Sequence, residues 1–234
     1  ELAALYPRAG GEYEYTRNAF PQSVAFLTGW LMIAALAVGA AAVSLGFARY
    51  LNEFADIPLR PAALGVLVAA AAVAFGGIKQ SGRLTVLLCV VQVGGLLLVI
   101  AIGLPHVGDV NLAPDSGADG ILGGAALVFF AFIGFDEVIT LAEETRDPSR
   151  TVPRALLAAL GISASLYILV AITAVSVLGA SALAASPRPL ADALRVGVGG
   201  VSTKVVACVA LASTANAVLL MLTAASRLTY AMAR

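Results

Sequence analysis

The sequence carries little charge and few of the side chains that enzymes use for chemistry. Charged residues make up 12% of its 234 residues, against about 25% in soluble domains, and the formal net charge is zero. It holds one histidine and two cysteines, and it contains no nucleophile elbow, metal-ligand spacing or phosphate-binding loop. We therefore predict no catalytic residues, no cofactor and no metal site, and the neutral charge excludes a nucleic-acid-binding signature.

Hydrophobic residues, by contrast, make up 60% of the chain. Several apolar runs reach the roughly 20 residues that a helix needs to cross a bilayer. The predicted membrane spans are approximately 24–50, 61–77, 84–104, 121–142, 153–178 and 204–232.

Three further predictions concern the segments around these spans. We predict a short loop at 78–83 and a short amphipathic surface helix at 189–196. We also expect Gly103, near the end of the third span, to tolerate valine with a modest packing effect.

The distribution of basic residues predicts the orientation of these six spans. Six crossings place both ends of the chain on one side of the membrane. The loops on that side carry nine of the 14 lysine and arginine residues, and the opposite loops carry five. Because basic residues accumulate on the cytoplasmic side, both ends are predicted to be cytoplasmic.

One apolar stretch, 123–138, carries two acids where a lipid-facing helix would have none. Asp136 and Glu137 follow Gly134 within three residues. Intramembrane acids mark cavities or pathways, and broken helix is tolerated at membrane depth where it lines a cavity. The stretch therefore predicts an interrupted helix at Gly134. A two-carboxylate protease is the enzymatic alternative, but it needs a second acid on another span, and the other predicted spans supply none.

The segment FFAFIGFDEVITLAEETRDPSRTVPRALL, residues 129–157, resembles the sixth helix and following cytoplasmic loop of amino acid permeases of the amino acid–polyamine–organocation superfamily. The segments ELAALYPRAGGEYEY, PLADAL and SRLTYAMAR resemble other parts of the same family. By this resemblance, 1–234 is one partial transmembrane domain. It would be a fragment running from the end of the second permease helix through the eighth.

The resemblance implies an all-α membrane protein with an incomplete LeuT-type inverted-repeat fold, including one discontinuous helix. It implies a symporter or antiporter for secondary active amino acid transport in the plasma membrane, which is the inner membrane of a bacterium. Its partners would be an amino acid substrate, a coupling proton or sodium ion, and the lipid bilayer. The alternative is a sensor or scaffold that keeps the permease fold without transporting.

The resemblance also implies a substrate site at the helix break. Backbone carbonyls there would bind the substrate amino group, and the phenylalanines would wall the cavity, although plain packing also accounts for each phenylalanine. The implied substrate-binding residues are Phe130, Ala131, Phe132, Ile133, Gly134 and Phe135.

Two further sets complete the candidate residues. Gln92 lies where several proton-coupled relatives carry a lysine, and an amide cannot titrate near neutral pH. Gln92, Ser213 and Thr214 are therefore coupling-ion candidates, with a sodium site, another acid or simple exchange all open, and a helix–helix hydrogen bond is the structural alternative for Gln92. Glu143, Glu144 and Arg146 are candidates for a cytoplasmic gate, or they belong to an ordinary solvated loop.

Overall fold

The architecture is known from a computed structural model. It describes residues 2–6, 10–109, 117–129, 132, 134, 145–186, 189–198 and 203–234. Within these residues the regular secondary structure is helical. A single turn of 3₁₀-helix, Leu104–His106, extends α5. The helices in chain order are α1 (Leu2–Leu5), α2 (Glu12–Ala19), α3 (Gln22–Leu51), α4 (Leu59–Phe75), α5 (Ile78–Gly103), α6 (Gly117–Phe129), α7 (Pro148–Leu178), α8 (Ala180–Ala185), α9 (Pro189–Val198) and α10 (Thr203–Met232).

Four of the described helices are long and apolar enough to cross a membrane, namely α3, α5, α7 and α10. Helices α4 and α6 are apolar but shorter, at 17 and 13 residues. A span needs about 17–25 residues, so α4 meets only the lower limit. The six crossings therefore stay a prediction.

The short loop predicted at 78–83 is wrong, because these residues form the first turns of α5. The break falls one residue earlier, at Gly77, which has a φ of 103°. Beyond Gly77 the polar residues Lys79, Gln80 and Arg83 are good helix formers, so polarity alone does not end a helix there.

The amphipathic helix predicted at 189–196 is confirmed as α9, which ends at Val198. It packs against α5 and α7. Ala193 and Leu194 are buried, and a Cβ added at Gly197 would lie 2.6 Å from Cγ2 of Ile102. The helix is therefore docked on the bundle by one apolar face.

The core of the bundle is α10, which packs against α3, α4 and α5. Small residues allow the close approach that membrane helices use in place of a hydrophobic driving force. A Cβ added at Gly39 would lie 3.3 Å from Met221, and one added at Gly95 would overlap Val209. Side chains of α10 thus lie directly against the glycine backbone of α3 and α5.

The turn before α2 closes one end of the bundle. Gly10 and Gly11 both have positive φ values, 115° and 47°, and a Cβ on Gly10 would lie 2.8 Å from Cβ of Ala231. Tyr13 of α2 packs in a buried cluster with Ala25 of α3 and Leu228 of α10. This short helix therefore joins the start of α3 to the end of α10.

Candidate functional site

Gly134 has a backbone conformation that is incompatible with a continuous α-helix. Its φ is 116°, and it lies in a turn five residues after α6 ends at Phe129. A Cβ added at Gly134 would meet no atom within 4 Å. Glycine is therefore needed here for its dihedral angle and not for space, since side chains disfavour positive φ.

Phe132, two residues before Gly134, contacts the side chain of Tyr167 on α7. The two ring centroids are 5.2 Å apart and the planes meet at 72°, an edge-to-face arrangement that aromatic pairs prefer. Phe132 is half-buried. The pair links Phe132 to the middle of α7. Sequence reasoning missed Tyr167, whose only signal is an aromatic ring with a polar tip inside an apolar helix.

Several predicted site residues cannot be placed in this geometry. Four of the substrate-binding candidates, Phe130, Ala131, Ile133 and Phe135, lie outside the described residues, as do the gate candidates Glu143 and Glu144.

The remaining gate candidate, Arg146, lies in the turn before α7 with an exposed side chain. Its backbone carbonyl accepts a hydrogen bond of 2.9 Å from the hydroxyl of Thr151. The next residue, Asp147, has a φ of 49° and accepts hydrogen bonds at its backbone carbonyl from Arg150 and Thr151. An exposed ion pair joins the Asp147 carboxylate to Arg150 at 4.0 Å, and such pairs contribute about 0–1 kcal/mol.

The coupling-ion candidates lie on two helices that pack together, α5 and α10. Gln92 is half-buried on α5 and Ser213 and Thr214 are half-buried on α10. On either side of them, Gly95 faces Val209, and Leu84 packs against the cluster of Ala70, Val218 and Leu219. The three candidates therefore lie at similar depth between these two contacts.

The two hydroxyls at this interface differ in their surroundings. The Thr214 hydroxyl donates to the carbonyl of Ala210 at 2.7 Å, and its methyl group faces α3, 4.0 Å from where Gly46 would carry a Cβ. Ser213 is one position along the helix, about 100° around its axis. Ser213 therefore points away from the α3 contact that Thr214 makes.

A further polar residue at this interface, Asn216, is not among the predicted site residues. Only 6% of its surface is exposed, and its Oδ1 has no hydrogen-bond partner among the residues that the structure describes. The signal that singles out Gln92, a carboxamide inside an apolar helix, applies equally to Asn216.

Tyr15 of α2, which lies outside the predicted spans, has a perturbed ionisation. Its hydroxyl is enclosed, and burial, with a smaller contribution from the nearby carboxylate of Glu12, raises the pKa of Tyr15 to about 12. Both effects disfavour the phenolate. Tyr15 therefore stays neutral across the physiological pH range.

Comparison with known proteins identifies the family. The amino acid permease family model matches residues 1–234. The chain belongs to the amino acid permease family. This permease chain is an all-helical, multi-pass membrane protein of a transporter family and not of an enzyme family. The helices agree with the LeuT-type fold that such membership fits.

Three relatives illustrate the range of the family. An uncharacterised transporter of Mycobacterium tuberculosis is 36% identical over 237 residues, covering 100% of this permease chain and 53% of the relative. A branched-chain amino acid permease of Lactococcus lactis is 28% identical over 262 residues, covering 100% of the chain and 56% of the relative. A methylthioribose transporter of Bacillus subtilis is 28% identical over 257 residues, covering 100% and 55%. The chain spans about half the length of these curated relatives.

Proposed function

We propose that this chain is part of a secondary active amino acid transporter, and that its substrate binds at residues 130–134. The observation that carries the proposal is the φ of 116° at Gly134, five residues after the apolar helix α6 ends at Phe129. In transporters of this kind, discontinuous helices meet near the bilayer midplane, and backbone groups at the discontinuity bind the substrate.

The proposed site holds the two ends of the substrate differently. Carbonyls of Phe130, Ala131 and Ile133 would accept hydrogen bonds from the substrate ammonium group. Phe132 and Phe135 would bound the space for the substrate side chain, with Phe132 held by its ring contact with Tyr167. An aromatic wall suits an apolar side chain, so branched-chain amino acids are the first substrates to test. A relative in Lactococcus lactis is named a branched-chain amino acid permease.

The remaining candidate residues are assigned to ion coupling and to gating. We propose that Gln92, Ser213 and Thr214 contribute to the site of a coupling ion between α5 and α10. Since an amide does not titrate near neutral pH, a proton held directly at Gln92 is excluded, and a sodium ion fits these neutral oxygens better. We propose a cytoplasmic gate formed by Glu143, Glu144 and Arg146. In this proposal the protein lies in the plasma membrane, and both ends of the chain are cytoplasmic.

Reconstitution tests this proposal. The protein that carries this chain, at its natural length, is placed in liposomes, and uptake of labelled leucine is measured with and without a sodium gradient and at several pH values. Unlabelled amino acids and methylthioribose serve as competitors. Concentrative leucine uptake that other branched-chain amino acids inhibit supports the proposal. Binding without uptake favours the sensor or scaffold, and selective inhibition by methylthioribose overturns the substrate assignment.

A further inference from the structure

Asn216 presents a hydrogen-bond acceptor that is enclosed by protein and lacks a described donor. The residue is 6% exposed, and no described group donates to its Oδ1. Leaving such a group unpaired is costly, because it gives up its interaction with water without replacement. A donor within reach of this oxygen would therefore stabilise the helix interface on which it lies.

The face of α10 that carries Asn216 is the face that contacts α5. Val209 on this face approaches Gly95 of α5 so closely that a Cβ there would overlap it. Asn216 follows Val209 by seven residues, which is about two helical turns and returns to the same side of the helix. A donor for Asn216 is therefore expected on α5.

The depth of Asn216 relative to α5 follows from two contacts. Gly95 lies opposite Val209, and Leu84 packs against the cluster of Ala70, Val218 and Leu219. The two helices thus run antiparallel, and Asn216 lies between these contacts. Gln92, three residues before Gly95, is about 6 Å from the level of Asn216 along the helix axes, at about 1.5 Å per residue.

Side-chain direction closes this separation. The Cα–Cβ bonds of a helix tilt toward its N-terminus. In antiparallel helices, Gln92 therefore leans toward the level of Asn216, and Asn216 leans toward the level of Gln92. Thr85 is the other half-buried polar residue on this part of α5, but it leans away from Asn216.

We propose that the carboxamide nitrogen of Gln92 donates a hydrogen bond to Oδ1 of Asn216, which ties α5 to α10. In the structure no described group donates to this oxygen. The half-buried Gln92 side chain therefore has to rotate toward Asn216 to form the bond. The inference rests on the geometry of α5 and α10 and not on the proposed transport function. It leaves Oε1 of Gln92 as an acceptor.

A double-mutant cycle on Tm tests the link in the detergent-solubilised protein. Gln92→Met and Asn216→Leu are each expected to lower Tm by about 1–4 °C, because each leaves the other carboxamide unpaired. The Tm of the double variant should then be no lower than the Tm of the less stable single variant. The matched cycle of Thr85→Val with Asn216→Leu should be additive. Additive losses for Gln92 and Asn216, or coupling only between Thr85 and Asn216, overturn the proposal.

Cross-linking gives a second measurement that does not depend on small changes in Tm. Gln92→Cys and Asn216→Cys are combined in a protein in which Cys89 and Cys208 are replaced by alanine. A short bifunctional thiol reagent should join the pair in membranes, because two positions that differ by about 6 Å along the helix axes are too far apart for a direct disulfide. The matched pair of Val90→Cys with Asn216→Cys should not be joined, since Val90 is 65% exposed on another side of α5. Equal cross-linking of both pairs, or none at Gln92, contradicts the proposed contact.

Discussion

The rings of Phe132 and Tyr167 meet edge to face, with centroids 5.2 Å apart. This contact joins a residue of the proposed substrate site to the long helix α7. Such a pair contributes about 0.5–1.5 kcal/mol beyond the burial of its area. We expect Tyr167→Ala to weaken the apparent substrate affinity by about two- to tenfold, because Phe132 loses the contact that orients it. Concentration-dependent uptake measures this.

Two variants on α7 control that experiment. Tyr167→Phe keeps the ring and should keep the affinity. Leu169→Ala removes a side chain that is 41% exposed and lies two residues away, so its effect on affinity should be small. An equal loss in Tyr167→Phe, or none in Tyr167→Ala, would separate the ring contact from substrate binding.

The positive φ of Gly134 predicts a specific sensitivity to substitution. Gly134→Ala should abolish or strongly reduce uptake, since alanine disfavours the observed φ of 116° by about 1–3 kcal/mol and shifts the segment toward other conformations. Membrane insertion should be unaffected. Uptake and the amount of protein in the membrane are measured together.

Gly108 is the matched reference for Gly134. Its φ is 106°, and a Cβ there also meets no atom within 4 Å. Gly108→Ala therefore carries a similar backbone strain away from the proposed site. It should lower Tm about as much as Gly134→Ala while transport continues. Normal uptake by Gly134→Ala would remove the main support for the proposed site.

Two adjacent glycines on α5, Gly94 and Gly95, are expected to differ sharply in how much an alanine substitution destabilises the protein. Gly95→Ala places a methyl group against Val209 and should destabilise the protein by about 1–3 kcal/mol. The Cβ added by Gly94→Ala meets no atom within 4 Å, so this substitution should leave the stability unchanged or raise it slightly. Thermal unfolding in detergent compares the two. Val209→Ala should restore part of the stability lost in Gly95→Ala, and an absence of any rescue would contradict the close packing of α5 against α10.

The orientation can be tested at the ends of α7. Ser149 near its start and Ala185 after its end are both exposed. In a protein in which Cys89 and Cys208 are replaced by alanine, a cysteine at Ala185 should react with an impermeant thiol reagent in intact cells. A cysteine at Ser149 should react only after the cells are opened. Labelling of both from outside would refute the cytoplasmic placement derived from the nine-to-five charge distribution.

Local sequence signals predict some elements because they do not depend on tertiary packing. The acid pair after Gly134 and the apolar run before it indicate a break, and the structure has α6 ending at Phe129 with a non-helical φ at Gly134. The amphipathic pattern of PLADALRV likewise indicates α9. These signals depend on local backbone preference and hydrophobic pattern.

Properties that depend on neighbouring helices are not predictable in the same way. The sequence predicts that Gly103 tolerates valine, but a Cβ there would overlap Thr173 of α7, so this substitution is expected to be damaging. The burial of Asn216 and the ring contact of Tyr167 also depend on which helices pack together. Composition alone does not distinguish a lipid-facing position from an interface position in an apolar helix.

Substrate protection at Phe132 tests the central claim most directly. Phe132→Cys is introduced into the background in which Cys89 and Cys208 are replaced by alanine, and its reaction with a small thiol reagent is followed in membranes. Saturating transported amino acid should slow this reaction several-fold, while a cysteine at exposed Ser149 reacts at an unchanged rate. An unchanged rate at position 132, in a variant that still takes up the amino acid, would contradict the placement of the substrate at this segment.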